Sequence, residues 1–115
     1  MPTKEEMTIK HAQQQVKKFL ERKGSEWSQL DNWFFLVIHL ITKVGELARE
    51  IITAGFDPNL NGIKEKHTPK KQVLTNIAAE LGDLFYHILK LDISFEIDLA
   101  SAFNQRLAEI IKRFG

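Results

Sequence analysis

The stretch that decides the fold lies at residues 33–50 and reads WFFLVIHLITKVGELARE. Its first nine residues are all apolar except His39, and charged residues follow only after them. A helix that is apolar on most of its sides is buried on most of its sides. Because the chain has only 115 residues, we expect subunit partners as well as the rest of the chain to cover this helix, which predicts an oligomer.

Helical spacing of apolar residues continues on both sides of this stretch and predicts four helices. The first spans about residues 5–22, with Thr3 and Glu6 at capping-box spacing. The second runs from an N-cap at Asp31 to about residue 54. Thr68 and Pro69 begin the third, which ends near residue 91, and the fourth covers residues 99–114. No stretch alternates with a period of two, so we expect no sheet and predict an all-α four-helix bundle with one domain, residues 1–115.

Composition excludes several classes of protein. The chain has 16 Lys and Arg against 15 Asp and Glu, which excludes a strongly basic nucleic-acid arm. It has no cysteine, so a disulfide scaffold, a thiol nucleophile and a Cys-ligated zinc site are excluded. No apolar run reaches the roughly 20 residues that cross a bilayer. We therefore expect a cytoplasmic protein with neither a nucleic-acid partner nor a membrane partner.

The acidic residues are placed unusually. Glu46 and Glu50 are the only acids between residues 33 and 56, and Glu80 and Asp83 are the only acids between residues 66 and 91. Each pair points to one side of its helix, within roughly 40° to 60° at 100° per residue. Four carboxylates in an apolar interior repel one another and need compensation.

Two polar rows contain these acids and can face each other. The second helix carries His39, Lys43, Glu46, Glu50 and Thr53, and the third carries Asn76, Glu80, Asp83 and His87. Mg²⁺ or Mn²⁺ would compensate the carboxylates, because hard cations take oxygen ligands. The alternative is that the acids pair with basic side chains, of which the candidates are Lys43, Arg49, Lys90 and Arg106.

The two acidic segments also repeat a short pattern. Residues 43–47 read KVGEL and residues 80–84 read ELGDL, with a glycine before the acid in each. A glycine within a helix costs about 1 kcal/mol of stability relative to alanine, so two glycines at matching positions indicate a structural reason. We expect the two helices to approach each other closely at Gly45 and Gly82, which would bring Glu46 near Asp83.

These segments resemble the MazG family of nucleotide pyrophosphohydrolases. The family pattern is commonly written EVGELAE followed by EELGDVLWYL, and this chain has KVGELARE at 43–50 and AELGDLFYHIL at 79–89. The resemblance implies a homodimer or homotetramer that hydrolyses a (deoxy)nucleoside triphosphate, standard or modified, to the monophosphate and pyrophosphate. It also implies Mg²⁺, with Mn²⁺ as the alternative, as cofactor, and Glu46, Glu80 and Asp83 as metal ligands and catalytic residues.

Lys43 departs from the family pattern, because it stands where the first glutamate of Glu-x-x-Glu is expected. Glu50 lies within about 20° of Lys43 on the helix and can return an acid to that face as a further metal ligand. Lys43 can instead bind a phosphate. A third interpretation is a non-catalytic helical assembly protein with a degraded metal site.

Further residues are candidates for substrate binding. His87 stands where the family usually has Tyr, and Arg106 where a Lys is common. Arg113 can reach a phosphate, and Trp27 can stack on a base. Lysines 64, 66, 70 and 71 flank a loop that can close over a triphosphate.

Overall fold

The computed structural model describes residues 7–24, 31–57, 62–63 and 71–115. Four helices make up most of this part of the chain: α1 (Ile9–Lys23), α2 (Trp33–Gly55), α3 (Lys71–Ser94) and α4 (Leu99–Phe114). Between α2 and α3 lie two strands, β1 (Phe56–Asp57) and β2 (Gly62–Ile63). The all-α class is confirmed for the described residues.

The strands form an antiparallel pair, with Phe56 opposite Ile63 and Asp57 opposite Gly62. Each strand has only two residues, which is too short for the alternation of polar and apolar residues that predicts a strand. This small β pair was therefore not predicted from the sequence.

Local capping determines where the helices begin and end. The Thr8 hydroxyl accepts from the His11 N–H at the start of α1, and Gly24 ends that helix with φ of 86°. The left-handed region favours glycine, so Gly24 suits this position. The Asn32 side chain accepts from the Phe35 N–H at 3.2 Å. Asn32 rather than Asp31 thus caps α2, because only its oxygen reaches that amide.

The last helix has the predicted bounds, and its cap is a finding of the structure: Asp98 caps α4 by accepting from the Ser101 N–H. Thr3, Glu6, Thr68 and Pro69 lie outside the described residues. Among the residues that are described, no helix is long and apolar enough to cross a membrane.

The chain forms two compact units, whose boundaries pass within α2 and α3. The first unit combines Met1–Leu36 with Ile88–Gly115, and the second is Val37–His87. The prediction of one domain remains a prediction.

The first unit contains the buried core of the described residues. Ala12, Leu20, Leu36 and Leu89 are buried there. The Trp33 and Phe95 rings stack with centroids 4.6 Å apart. The side-chain amide of Gln13 on α1 donates to the Ile97 carbonyl at 2.7 Å, which fixes α1 to the turn before α4.

Two charged residues near the end of α3, Lys90 and Asp92, are also buried in this unit. Burial raises the pKa of Asp92 to about 6, although the backbone amides of Asp92 and Ile93 favour the charged form. Burial lowers the pKa of Lys90. Asp92 is only 6% exposed, so its ionisation costs stability.

In the second unit, the helical segments of α2 and α3 run antiparallel. The side-chain contacts between them include those of His39 with His87, Lys43 with Asp83, and Glu50 with Asn76. From one contact to the next, the residue number rises along α2 by the same amount as it falls along α3. The two segments are therefore antiparallel. None of the described side chains in this unit is buried.

The predicted close approach at Gly45 and Gly82 is wrong. Apart from the adjacent backbone of its own helix, nothing in the described part of the chain lies within 4 Å of a Cβ built at either glycine. The long polar side chains of the two rows meet between the helices instead, so the glycines are not needed for the contact between α2 and α3.

Replacing Asp92 with Asn should stabilise the protein at neutral pH. A carboxyl whose pKa is raised by folding contributes stability below its unfolded pKa of 3.8 and loses it as pH rises to about 6. Asn stays neutral, so the variant should gain about 3 kcal/mol at pH 7.5 and converge with the native chain near pH 3.5. Urea unfolding of both chains across this range measures the difference. A variant that is less stable at pH 7.5 would show that the Asp92 charge is satisfied.

Candidate functional site

The candidate site consists of the polar rows on the facing segments of α2 and α3, all within the second unit. We call it the polar cluster, and its members are His39, Lys43, Glu46, Glu50, Asn76, Glu80, Asp83 and His87. Residues three or four apart on a helix share a face, so each row follows one side of its helix over three turns. The sequence therefore places four acids in the polar rows of one pair of helices.

Lys43 lies at the centre of the polar cluster. Its Nζ is 3.2 Å from Glu46 Oε2 on the same helix and 3.6 Å from Asp83 Oδ2 on α3. The hydrogen bond to Glu46 raises the pKa of Lys43; partial burial acts against this, and the charges of Glu46, Asp83 and Glu80 add to the increase. The Lys43 ammonium is therefore charged at neutral pH and compensates two carboxylates.

Glu80 is an acid of the polar cluster whose surroundings raise its pKa. Partial burial raises the pKa of Glu80, and the charge of Glu46 raises it further, whereas Lys43 lowers it. A hydrogen bond with Glu46, which only a protonated carboxyl can donate, also favours the neutral form. Oε2 of Glu80 is buried and has no hydrogen-bond partner among the described residues. Burial and the neighbouring carboxylates thus favour the protonated form of Glu80.

Glu50 contacts α3 through an amide. Its Oε1 accepts from the side-chain amide of Asn76 at 3.1 Å, and Asn76 in turn accepts from the Gln72 side chain at 3.1 Å. Whether Glu50 supplies the acid missing at residue 43 remains a prediction.

The histidines lie at the other end of the polar cluster. The His39 and His87 rings meet edge to face with centroids 5.7 Å apart, and Tyr86 has a similar contact with His87 at 5.4 Å. His87, a predicted substrate-binding residue, is therefore one turn from Asp83 and beside a second imidazole. Burial raises the pKa of Tyr86, so its hydroxyl stays protonated at neutral pH.

Arg106 and Arg113, two further candidates for substrate binding, have their contacts within α4. Arg106 forms an ion pair with Glu109 on its own helix. Arg113 lies over the Phe114 ring, 5.8 Å from its centroid. Both belong to the first unit. Trp27 and lysines 64, 66 and 70 lie outside the described residues, and Lys71 is the exposed first residue of α3.

The carboxylates that are present suit a hard divalent cation in their chemistry. Glu46, Glu80 and Asp83 offer only oxygen donors, and the buried Oε2 of Glu80 is an unused acceptor. In the described residues no three acidic or histidine side chains are grouped as ligands of one ion. The Lys43 ammonium contacts two of the predicted ligands, so a cation and Lys43 would compete for them.

Sequence reasoning left Asn76 out of the site, although it placed Asn76 in the polar row. The signal was its spacing, because Asn76 lies one turn before Glu80 on the same face of α3. An amide at that position can orient a neighbouring carboxylate, as Asn76 does for Glu50.

Replacing Lys43 with Met should raise the pKa of Glu80. The Lys43 charge lowers this pKa, so its removal leaves the Glu46 and Asp83 charges uncompensated beside Glu80. A carbon-detected NMR titration of the glutamate carboxyls measures the shift. Lys112→Met, on α4, is the control and should leave Glu80 unchanged. An unaltered Glu80 titration in Lys43→Met would disprove the coupling.

Comparison with known proteins gives no further assignment: no protein-family model matches the chain, and neither a curated protein nor a solved structure gives a significant match. The resemblance to the MazG family therefore rests on the segments at residues 43–50 and 79–89.

Proposed function

We propose that the protein is a metal-dependent nucleoside triphosphate pyrophosphohydrolase that forms a (deoxy)nucleoside monophosphate and pyrophosphate. The observation that carries this proposal is the meeting of Glu46, Glu80 and Asp83 around one ammonium between α2 and α3. Clustered carboxylates on apolar helices are costly to stability, and such a cost is typical of sites selected for chemistry. A cytoplasmic location, where these substrates occur, belongs to the same proposal.

Carboxylates of this cluster are suited to hold Mg²⁺, or Mn²⁺ in its place. Glu46, Glu80 and Asp83 are the proposed ligands, and Glu50 is the proposed additional one. When bound, the metal would offset the charge of the triphosphate and make a water molecule more acidic.

Glu80 is the residue that we assign to accept the proton of the attacking water. A general base works best when its pKa lies near the working pH, and burial and Glu46 both move the pKa of Glu80 upward.

Lys43 has a role in this proposal that an acid at the same position cannot have. Without substrate, its ammonium compensates Glu46 and Asp83. When a cation compensates those carboxylates, the ammonium becomes available to a phosphate oxygen, for which lysine is a suitable point charge. His87 at the end of the polar cluster, together with Arg106, Arg113 and Trp27, remains a proposed substrate-binding residue.

A second candidate function is a non-catalytic helical assembly protein on a MazG-like scaffold. The observation that favours it is the same pair of Lys43 contacts, which compensates two acids without any metal. In this case the polar cluster would only hold α2 and α3 together.

An assay of pyrophosphate release distinguishes the enzyme from the assembly protein. The native chain is incubated with a panel of ribo- and deoxyribonucleoside triphosphates, with Mg²⁺ or with a chelator. We expect metal-dependent release from at least one triphosphate. Removing a ligand or the base should reduce the rate about 100-fold or more in Glu80→Gln and Asp83→Asn. Glu21→Gln, an exposed acid on α1, is the matched control and should stay within about twofold.

Each outcome of this assay favours one of the two candidate functions. No metal-dependent release from any triphosphate would refute the enzyme and favour the assembly protein. Lys43→Glu tests the role of the ammonium: we expect a loss of activity, and a gain would show that the native lysine degrades the site.

A further inference from the structure

Two of the four histidines of the chain meet at one end of the polar cluster. His39 lies on α2 and His87 on α3, and both belong to the second unit. Their rings are in edge-to-face contact, with centroids 5.7 Å apart and planes inclined by 70°. Both residues are half-buried. The proposed hydrolysis assigns His87 only to substrate binding and gives His39 no role, so the contact between them calls for a separate explanation.

The separation of the two rings suits one shared metal ion. A zinc ion bound by a ring nitrogen at about 2.0 Å lies roughly 3.2 Å from the ring centre, so two imidazoles at a tetrahedral angle have centres about 5.2 Å apart. The observed separation of 5.7 Å between His39 and His87 is close to this value. Rotation about the side-chain bonds can therefore turn one nitrogen of each ring toward a common point while the helices stay in place.

The register of the two helices keeps these histidines opposite each other. One turn along, Lys43 on α2 lies 3.6 Å from the carboxylate of Asp83 on α3. The same antiparallel register that forms this ion pair sets His39 against His87. Ligands that come from two packed helices are held more precisely than ligands on loops, so the pair is well placed to bind an ion.

The charge of the polar cluster favours a cation at this end. The cluster contains four acids and a single lysine. Asp83 lies one turn from His87, and Lys43, one turn from His39, already contacts Glu46 and Asp83. The acids outnumber the one ammonium, so their field attracts a positive ion toward the imidazoles.

Ligand chemistry distinguishes the histidine pair from the proposed magnesium site. Imidazole nitrogens suit Zn²⁺, Cu²⁺ and Ni²⁺, whereas the carboxylate oxygens of Glu46, Glu80 and Asp83 suit Mg²⁺ and Mn²⁺. In the described part of the chain no three acidic or histidine side chains are grouped as ligands of one ion. Two imidazoles would therefore leave the remaining positions of a tetrahedral ion to water.

We propose that His39 and His87 form a binding site for a borderline divalent ion such as Zn²⁺, which links α2 to α3. Because the two ligands come together only when both helices are folded and adjacent, the ion binds the native state and stabilises it. This proposal does not depend on the proposed hydrolysis, since its test measures metal binding and stability rather than turnover.

A zinc titration of the native chain tests the site. Isotopically labelled protein in excess Mg²⁺ is titrated with Zn²⁺, and the imidazole nitrogen signals are followed by NMR. We expect the signals of His39 and His87 to shift together and to saturate at one zinc per chain. The ring of His11, which is exposed on α1, should stay unchanged. Saturating zinc should also raise the unfolding temperature relative to a chelator.

Substitutions identify the ligands. Loss of an outer-shell partner typically weakens metal binding about 10- to 100-fold, so loss of a ligand itself in His39→Asn or His87→Asn should raise the zinc dissociation constant about 100-fold. His11→Asn is the matched control and should leave it unchanged. Glu80→Gln removes a ligand of the proposed magnesium site and should retain zinc binding, so the failure of one site is distinguishable from the failure of the other.

Three results would overturn the proposal. The first is a native chain that binds no zinc in this titration. The second is zinc binding that shifts neither the His39 nor the His87 ring, which would place the ion on the carboxylates. The third is a zinc affinity that His39→Asn and His87→Asn both retain. The first two are measured on the native chain, so they do not depend on how well the variants fold.

Discussion

Charge compensation between α2 and α3 is the constraint on which the rest of the second unit depends. Two long apolar helices carry four acids away from their ends, and these can lie side by side only if a positive charge offsets them. In this structure Lys43 provides that charge, with Glu46 on its own helix and Asp83 across the gap. The antiparallel alignment of the helices, the raised pKa of Glu80 and the proposed chemistry all depend on the same few side chains.

The two sides of the α2–α3 pair differ in chemistry. One side carries carboxylates, whose charges a cation would compensate, and the other exposes a row of apolar residues on each helix. The proposed function follows from the first of these sides, where a divalent cation would offset the carboxylates of the polar cluster and bind a triphosphate.

Sequence predicted the helices well because their apolar spacing is regular, and α4 has the bounds that this spacing predicts. The cap of α2 was wrong, because Asn32 rather than Asp31 caps it, and no sequence pattern shows which side-chain oxygen reaches an amide. Sequence placed four acids on facing helices and named Lys43 among four basic candidates for pairing with them, but it did not indicate which acids Lys43 contacts. Lys43 was noted as a departure from a family pattern, and its bridging of two acids depends on the register of the helices. Helix periodicity does not fix that register.

The most direct test of the proposed metal site at the carboxylates is to determine where a paramagnetic divalent cation binds. Mn²⁺ titrated into isotopically labelled protein broadens the NMR signals of nearby amides. We expect selective broadening around Glu46, Glu80 and Asp83, and we expect this broadening to be lost in Glu80→Gln. Broadening that begins elsewhere, such as beside Glu96 and Asp98 in the first unit, or that is the same in Glu80→Gln, would contradict it.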